Sequence, residues 1–139
     1  MRRLLLDTCI VVDMLINPTK LDKSVAALIK DYNCTLYASF ETLRELVVLF
    51  NNNRLHAKQW KKAEDILHTV IDDLDIKILP LREEVAFTYS RLALNEAANH
   101  YDPSDHIIIS QAITENIPLI SSDLKFPFYR EQGLELIEC

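Results

Sequence analysis

Five short apolar runs, separated by segments in which apolar residues recur at helical spacing, set the strongest limit on how this chain can fold. The first, Leu4-Leu5-Leu6, lacks polar alternation, as expected of a central strand covered on both faces. Thr35–Ala38, Ile76–Leu79 before Pro80, Leu119–Ser121 after Pro118, and Leu134–Ile137 supply the other four. Strands joined through helices need right-handed crossovers, which produce a parallel sheet with helices on its faces. The expected architecture is a three-layer α/β/α sandwich around a central five-stranded parallel sheet.

The intervening segments read as helices with local start and stop signals. Ile10, Val11, Met14 and Leu15 form an apolar stripe that Asn17-Pro18 ends, and Val25, Leu28 and Ile29 mark a second helix. Ser39 is a candidate N-cap for a helix carrying Leu43, Leu46, Val47 and Phe50, closed by Asn51-Asn52-Asn53. Residues 57–72 are expected as one amphipathic helix with Trp60, Ala63, Leu67 and Val70 or Ile71 on its apolar stripe. Residues 82–99 are expected as an alanine-rich helix, and Asp102-Pro103 opens another with aspartate as cap and proline at the first helical position. No linker or repeat interrupts this pattern, so residues 1–139 are read as a single domain.

Gly133 is the only glycine. Phosphate-cradling loops need backbone positions that glycine alone fills cheaply, so the Walker and dinucleotide fingerprints are excluded. The formal charge of −6 gives no global attraction to nucleic acid, although a bound cation can invert the local charge. Cys9, Cys34 and Cys139 are odd in number and widely spaced, which disfavours a disulfide framework or structural zinc and points to a reducing cytoplasm. Asp7 and Asp13 break the early apolar run, so it reads as a strand and not a signal peptide. Nothing approaches the ~18 apolar residues that suggest a membrane span.

Ligands of parallel sheets collect beyond the carboxyl ends of the strands. Asp7 directly follows the first strand, Glu45 lies in the helix after the second, and Asp123 sits two residues beyond the fourth. Asp105 occupies the first turn of the helix preceding that fourth strand. Carboxylates about 4 Å apart repel by roughly 4 kcal/mol per pair at an effective dielectric of 20. Such a group either keeps protons or holds a hard divalent cation such as Mg²⁺ or Mn²⁺.

Four blocks carry a family resemblance: Leu4-Leu5-Leu6-Asp7-Thr8, Thr42-Leu43-Arg44-Glu45-Leu46, Asp102-Pro103-Ser104-Asp105-His106 through Ala112, and Pro118-Leu119-Ile120-Ser121-Ser122-Asp123 through Phe126. In order and spacing the chain resembles PIN-domain ribonucleases, in particular the VapC-type toxins of toxin–antitoxin pairs. The resemblance implies a Mg²⁺- or Mn²⁺-dependent endoribonuclease with Asp7, Glu45, Asp105 and Asp123 as its acidic quartet. It also implies that Thr8 and Ser121 orient ligands or waters, that an antitoxin blocks the site, and that the protein forms a homodimer. The chain departs from the common pattern at Cys9, where many relatives carry asparagine, and at Ser104 and His106 within the third block.

Each residue also has an ordinary structural reading. Asp7 caps a helix, Glu45 is solvated, Asp105 benefits from a helix dipole, and Asp123 belongs to a turn. Their joint occurrence in matching motifs favours a shared site. Asp102 is read as a cap and Asp13 as solvated or salt-bridged, while His100 and His106 are read as surface or locally bonded, with His106 kept as a candidate contact. Arg54, His56, Lys58, Lys61 and Lys62 around Trp60 read as a solvated helix face, and Arg54, Lys58, Lys61 and Lys62 also as candidate contacts to RNA or a partner. Two other functions compete. One is a PIN-like module that holds RNA or a partner without cutting it. The other is an aspartyl phosphatase, disfavoured because Cys9 stands where its second aspartate is required.

Overall fold

Leu4, Leu5 and Leu6 are fully buried, and the strand that carries them, β1 (Arg2–Leu6), lies at the centre of the sheet. The computed structural model describes residues 1–139. The other strands are β2 (Cys34–Ser39), β3 (Lys77–Leu79), β4 (Leu119–Ser121) and β5 (Leu136–Glu138). All are parallel and run in the order β3-β2-β1-β4-β5. Leu6 pairs with Ala38 on one side and Ile120 on the other, which brings the ends of β1, β2 and β4 level. The expected five-stranded parallel sheet is therefore present, with strand edges shifted by one or two residues.

Alternation along β1 divides the core between the two faces. Leu4 and Leu6 join Ile10, Val25, Leu46, Ile66 and Val70 on one face, while Leu5 joins Ile108, Ile109, Phe126, Tyr129 and Leu136 on the other. The first face is covered by α1 (Thr8–Ile16), α2 (Lys23–Lys30), α3 (Phe40–Asn51) and α4 (Ala63–His68). The second receives α6 (Pro103–Glu115) and a 3-10 segment, Phe126–Gln132, and α5 (Glu83–Arg91) packs against α6. The caps read from sequence are in place: Ser39 Oγ accepts from the Glu41 N–H, and Asp102 Oδ1 accepts from the Ser104 N–H ahead of Pro103. No helix is long and apolar enough to cross a membrane.

Two helix expectations are corrected. Over residues 57–72, regular helix starts only at Ala63, because the Asp65 carboxylate accepts the N–H groups of both Lys61 and Lys62 and terminates the helix there. Trp60 lies ahead of that start, buried, with its indole N–H donating to Thr69 Oγ1 at 3.0 Å. The core positions are then Ile66 and Val70, with Leu67 only partly covered, and Thr69–Asp73 continues as a π-helical turn. Over residues 82–99, α5 stops at Arg91. The Gln132 side chain takes both the N–H and the carbonyl of Ala93 at 2.8 Å, and the Tyr129 hydroxyl takes the Asn95 N–H. Those long-range bonds replace the helical ladder, and only a 3-10 turn, Glu96–Ala98, follows.

Candidate metal centre

The site begins where β1 ends. Asp7 has left the strand but its N–H still donates to the Ile120 carbonyl at 3.0 Å, so its backbone is pinned between two central strands. It is also the N-cap of α1, accepting the Thr8 N–H on Oδ1 at 2.9 Å. Its other oxygen, Oδ2, accepts the Ser121 hydroxyl at 2.7 Å and the Cys9 thiol at 3.3 Å. Ser121 thus ties the ends of β1 and β4 together, and its Oγ also accepts the Asp123 N–H at 3.1 Å, shaping the turn that carries Asp123.

Glu45 enters from α3. The Thr8 hydroxyl donates to its Oε1, and because that spends the only Thr8 hydroxyl proton, the Thr42 hydroxyl 3.0 Å away must donate to Thr8. Beside it, α3 is fastened to α6 by a charged network that the sequence reading did not detect. Arg44 donates two parallel bonds to the Glu41 carboxylate and a third to Ser104 Oγ, while Ser104 donates to Glu41. Arg44 holds the Glu41 carboxyl below its ordinary range despite burial. Only the i, i+3 spacing of Glu41 and Arg44 was visible locally, since Ser104 lies 60 residues away from Arg44.

Asp105 stands in the first turn of α6, and its Oδ2 is 2.9 Å from His100 Nε2. His100, Asp105 and Asp123 offer ligand atoms that all lie within 4.8 Å of one another. His100 is buried and not at the surface, with its side chain 2% exposed. His106, retained from the sequence as a candidate contact, is corrected likewise. It is 3% exposed and its Nε2 donates to the His100 carbonyl at 3.0 Å, so it cannot face RNA or a partner.

All four acids of the expected quartet line one cleft of about 510 Å³. Asp13 and Asp102 line it too, and Lys20 is the one cation among the lining residues. Asp102 therefore serves as a cap and also adds charge, and Asp13 stands 3.9 Å from Lys20. Arg54, Lys58, Lys61 and Lys62 are exposed but lie outside the cleft, with Lys62 paired to Glu64 at 3.1 Å.

The electrostatics follow from crowding acids under partial burial. Burial pushes the Asp105 carboxyl up to about 8, reinforced by the charges of Asp7, Asp102, Asp123 and Glu45. Burial also raises Asp7, against the opposing donors Ser121, Cys9 and Thr8, and raises Glu45 against the Thr8 hydroxyl. The Cys9 thiol is pushed up to about 11 by burial and by Asp7, which leaves it a neutral donor and not a thiolate ligand. A cleft lined by oxygen donors that resist simultaneous ionisation fits a hard divalent cation such as Mg²⁺ or Mn²⁺, whose charge relieves the repulsion.

A family model of the PIN domain matches residues 4–131. The chain belongs to the PIN-domain family. No curated protein matches it. Among solved structures, this PIN domain is similar to VapBC2 from Rickettsia felis bound to a DNA fragment from its promoter, with TM-score 0.72, 23% identity and 98% of both chains covered. It is similar to VapBC-1 from nontypeable Haemophilus influenzae at TM-score 0.68 and 22% identity, covering 98% of this chain and 97% of the other. It is also similar to VapBC-5, a member of the VapBC family of toxin–antitoxin systems from Mycobacterium tuberculosis, at TM-score 0.67 and 21% identity with both chains fully covered. At these identities the likeness extends to the fold.

Proposed function

We propose that this PIN domain is a divalent-metal-dependent endoribonuclease that hydrolyses RNA phosphodiesters, and that it is the toxin of a type II toxin–antitoxin pair. The observation that carries the first part is the convergence of Asp7, Glu45, Asp105 and Asp123, from four separate chain segments, on one acid-lined cleft. A binding scaffold has no use for that mutual repulsion. These four would hold Mg²⁺ or Mn²⁺. Such an ion, when bound, polarises the phosphodiester and activates water for attack.

The protein's own contribution is orientation. Ser121 and the Thr8 N–H fix the Asp7 carboxylate, and the Thr42–Thr8–Glu45 chain fixes Glu45, so the acids are held before any ion arrives. Arg54, Lys58, Lys61 and Lys62 are exposed and available to an RNA backbone or a partner protein. The toxin assignment draws on the similar structures, which are VapBC assemblies, and with it come a cognate antitoxin, a homodimer and a cytoplasmic location.

The test is cleavage of RNA by the purified chain with Mg²⁺ or Mn²⁺, after chelation, and after the ion is restored. Cleavage is expected to stop with chelator and return with the ion, and cutting that persists in chelator would overturn the metal reading. If Mn²⁺ binds but no RNA is cut, the non-catalytic module becomes the better account. Expression in bacteria is expected to slow growth, and co-expression of the adjacent small open reading frame to relieve it. Harmless expression of the active enzyme would remove the toxin role alone.

A further inference from the structure

His100 is a buried imidazole that the proposed chemistry leaves without a role. Its surroundings fix both of its nitrogens. Nδ1 lies 2.9 Å from the Tyr129 hydroxyl, and Nε2 lies 2.9 Å from Asp105 Oδ2. The Tyr129 oxygen already accepts the Asn95 N–H at 3.1 Å. The hydroxyl proton therefore has one acceptor, His100 Nδ1. With Nδ1 accepting, Nε2 must carry the ring proton and donate it to Asp105. The opposite tautomer would strand the buried tyrosine proton without a partner.

Packing allows the ring little freedom. The ring centroid of His106 lies 4.8 Å away, edge-on, and those of Phe126 and Tyr129 lie at 5.5 Å. Phe126 and Tyr129 belong to the 3-10 segment that begins three residues after Asp123. One hydrogen-bonded line, Asn95 to Tyr129 to His100 to Asp105, thus connects that segment to the first turn of α6.

We infer that His100, set in its tautomer by Tyr129, is a positioning residue that holds one oxygen of Asp105 and so presents the other to a cation beside Asp123. The inference rests on the metal reading of the acid cleft. In metal sites, partners that orient a ligand in this way are worth about 10-fold to 100-fold in affinity.

The experiment has two arms on the full chain. Two-dimensional ¹⁵N–¹H spectroscopy of the imidazole rings, without metal, is expected to show His100 in the Nε2–H form in the wild type and redistributed in Tyr129→Phe. A wild-type ring in the Nδ1–H form would overturn the inference. Calorimetric titration with Mn²⁺ is expected to show a 10-fold to 100-fold loss of affinity in His100→Ala, a smaller loss in Tyr129→Phe, and partial recovery in His100→Gln, whose amide keeps an N–H donor. Unchanged Mn²⁺ affinity in folded His100→Ala would overturn it. Should His100→Ala fail to fold, Tyr129→Phe and the tautomer decide. A wild type that takes up no Mn²⁺ would sink the metal reading itself, while the metal-free tautomer still judges the hydrogen-bonded line.

Discussion

Asp7 and Asp105 face the same cleft but are held in opposite ways. Asp7 is 4% exposed, its backbone is locked between β1 and β4, and its carboxylate receives a main-chain N–H, a hydroxyl and a thiol. Asp105 rides on a helix start, keeps its side chain 18% exposed, and has a single side-chain partner, His100. The more buried acid is the better compensated one, because donors offset desolvation. Burial nevertheless raises both acids, Asp7 against its three donors and Asp105 to about 8, where four neighbouring charges add to burial. Asp7 draws its donors from the two residues that follow it and from Ser121 at the end of β4, whereas Asp105 draws its one partner from His100, five residues back.

The largest effect is expected from removing the charge of the well-held acid. Asp7→Asn should lower RNA cleavage in Mn²⁺ by about 1,000-fold, the equivalent of several kcal/mol of charge stabilisation. A variant within tenfold of wild type would show that Asp7 is not the anchor. Next comes the support beneath it. Ser121→Ala removes the donor to Asp7 and the acceptor for the Asp123 N–H, so Mn²⁺ affinity should fall about 10-fold to 100-fold. Urea unfolding of the same variant should show a loss of roughly 1–3 kcal/mol. Unaltered metal affinity would mean that the Thr8 N–H and the Cys9 thiol suffice to hold Asp7.

The smallest effect is on stability against pH, where Asp105 acts with Asp7 and Glu45, which burial also raises. From about pH 4 to about pH 8 the folded chain keeps a proton on Asp105 that the unfolded chain has released. The native state then binds more protons, so the metal-free chain loses stability as pH rises through that window. Thermal melts without metal should fall by several degrees from pH 5 to pH 8. Asp105→Asn should flatten the upper part of that fall, and Mn²⁺ should offset it by binding the folded state. A wild-type melt that rises over this range would show that the fold does not hold these protons.

How far the sequence could be read depended on how local the physics was. The sheet was legible because each strand is an apolar run and needs no distant partner to be recognised. Asp7, Ser39 and Asp102 were legible as cap positions because a cap bonds to residues one or two places along. The helix expected over 82–99 failed because Gln132 and Tyr129, more than 30 residues on, take the backbone of Ala93 and Asn95. The one expected over 57–72 starts late, at Ala63, because the Asp65 carboxylate takes the Lys61 and Lys62 N–H groups, a local cap that the apolar stripe concealed. His100, read as surface or locally bonded, is locally bonded to Asp105, but its second partner was out of reach. Its bond to Tyr129 spans 29 residues, and nothing between Asn99 and Tyr101 announces it. Cys9 was noticed only as a departure from a pattern, whereas its thiol donates to Asp7 and sits 3.3 Å from Ser122 Oγ.

The bond from Ser121 to Asp7 spans 114 residues and joins the two middle strands of the sheet. A ribosome adding 5–20 residues per second would deliver Asp123 roughly 6–23 s after Asp7. Throughout that interval the emerging polypeptide carries β1 without its neighbour β4, and Asp7 without the serine that fixes it. The acid cleft cannot assemble on a chain that lacks β4, so a cell translating this protein meets an assembled site only after Asp123 has been made. That delay follows from pairing the first strand with the fourth across 114 residues of chain.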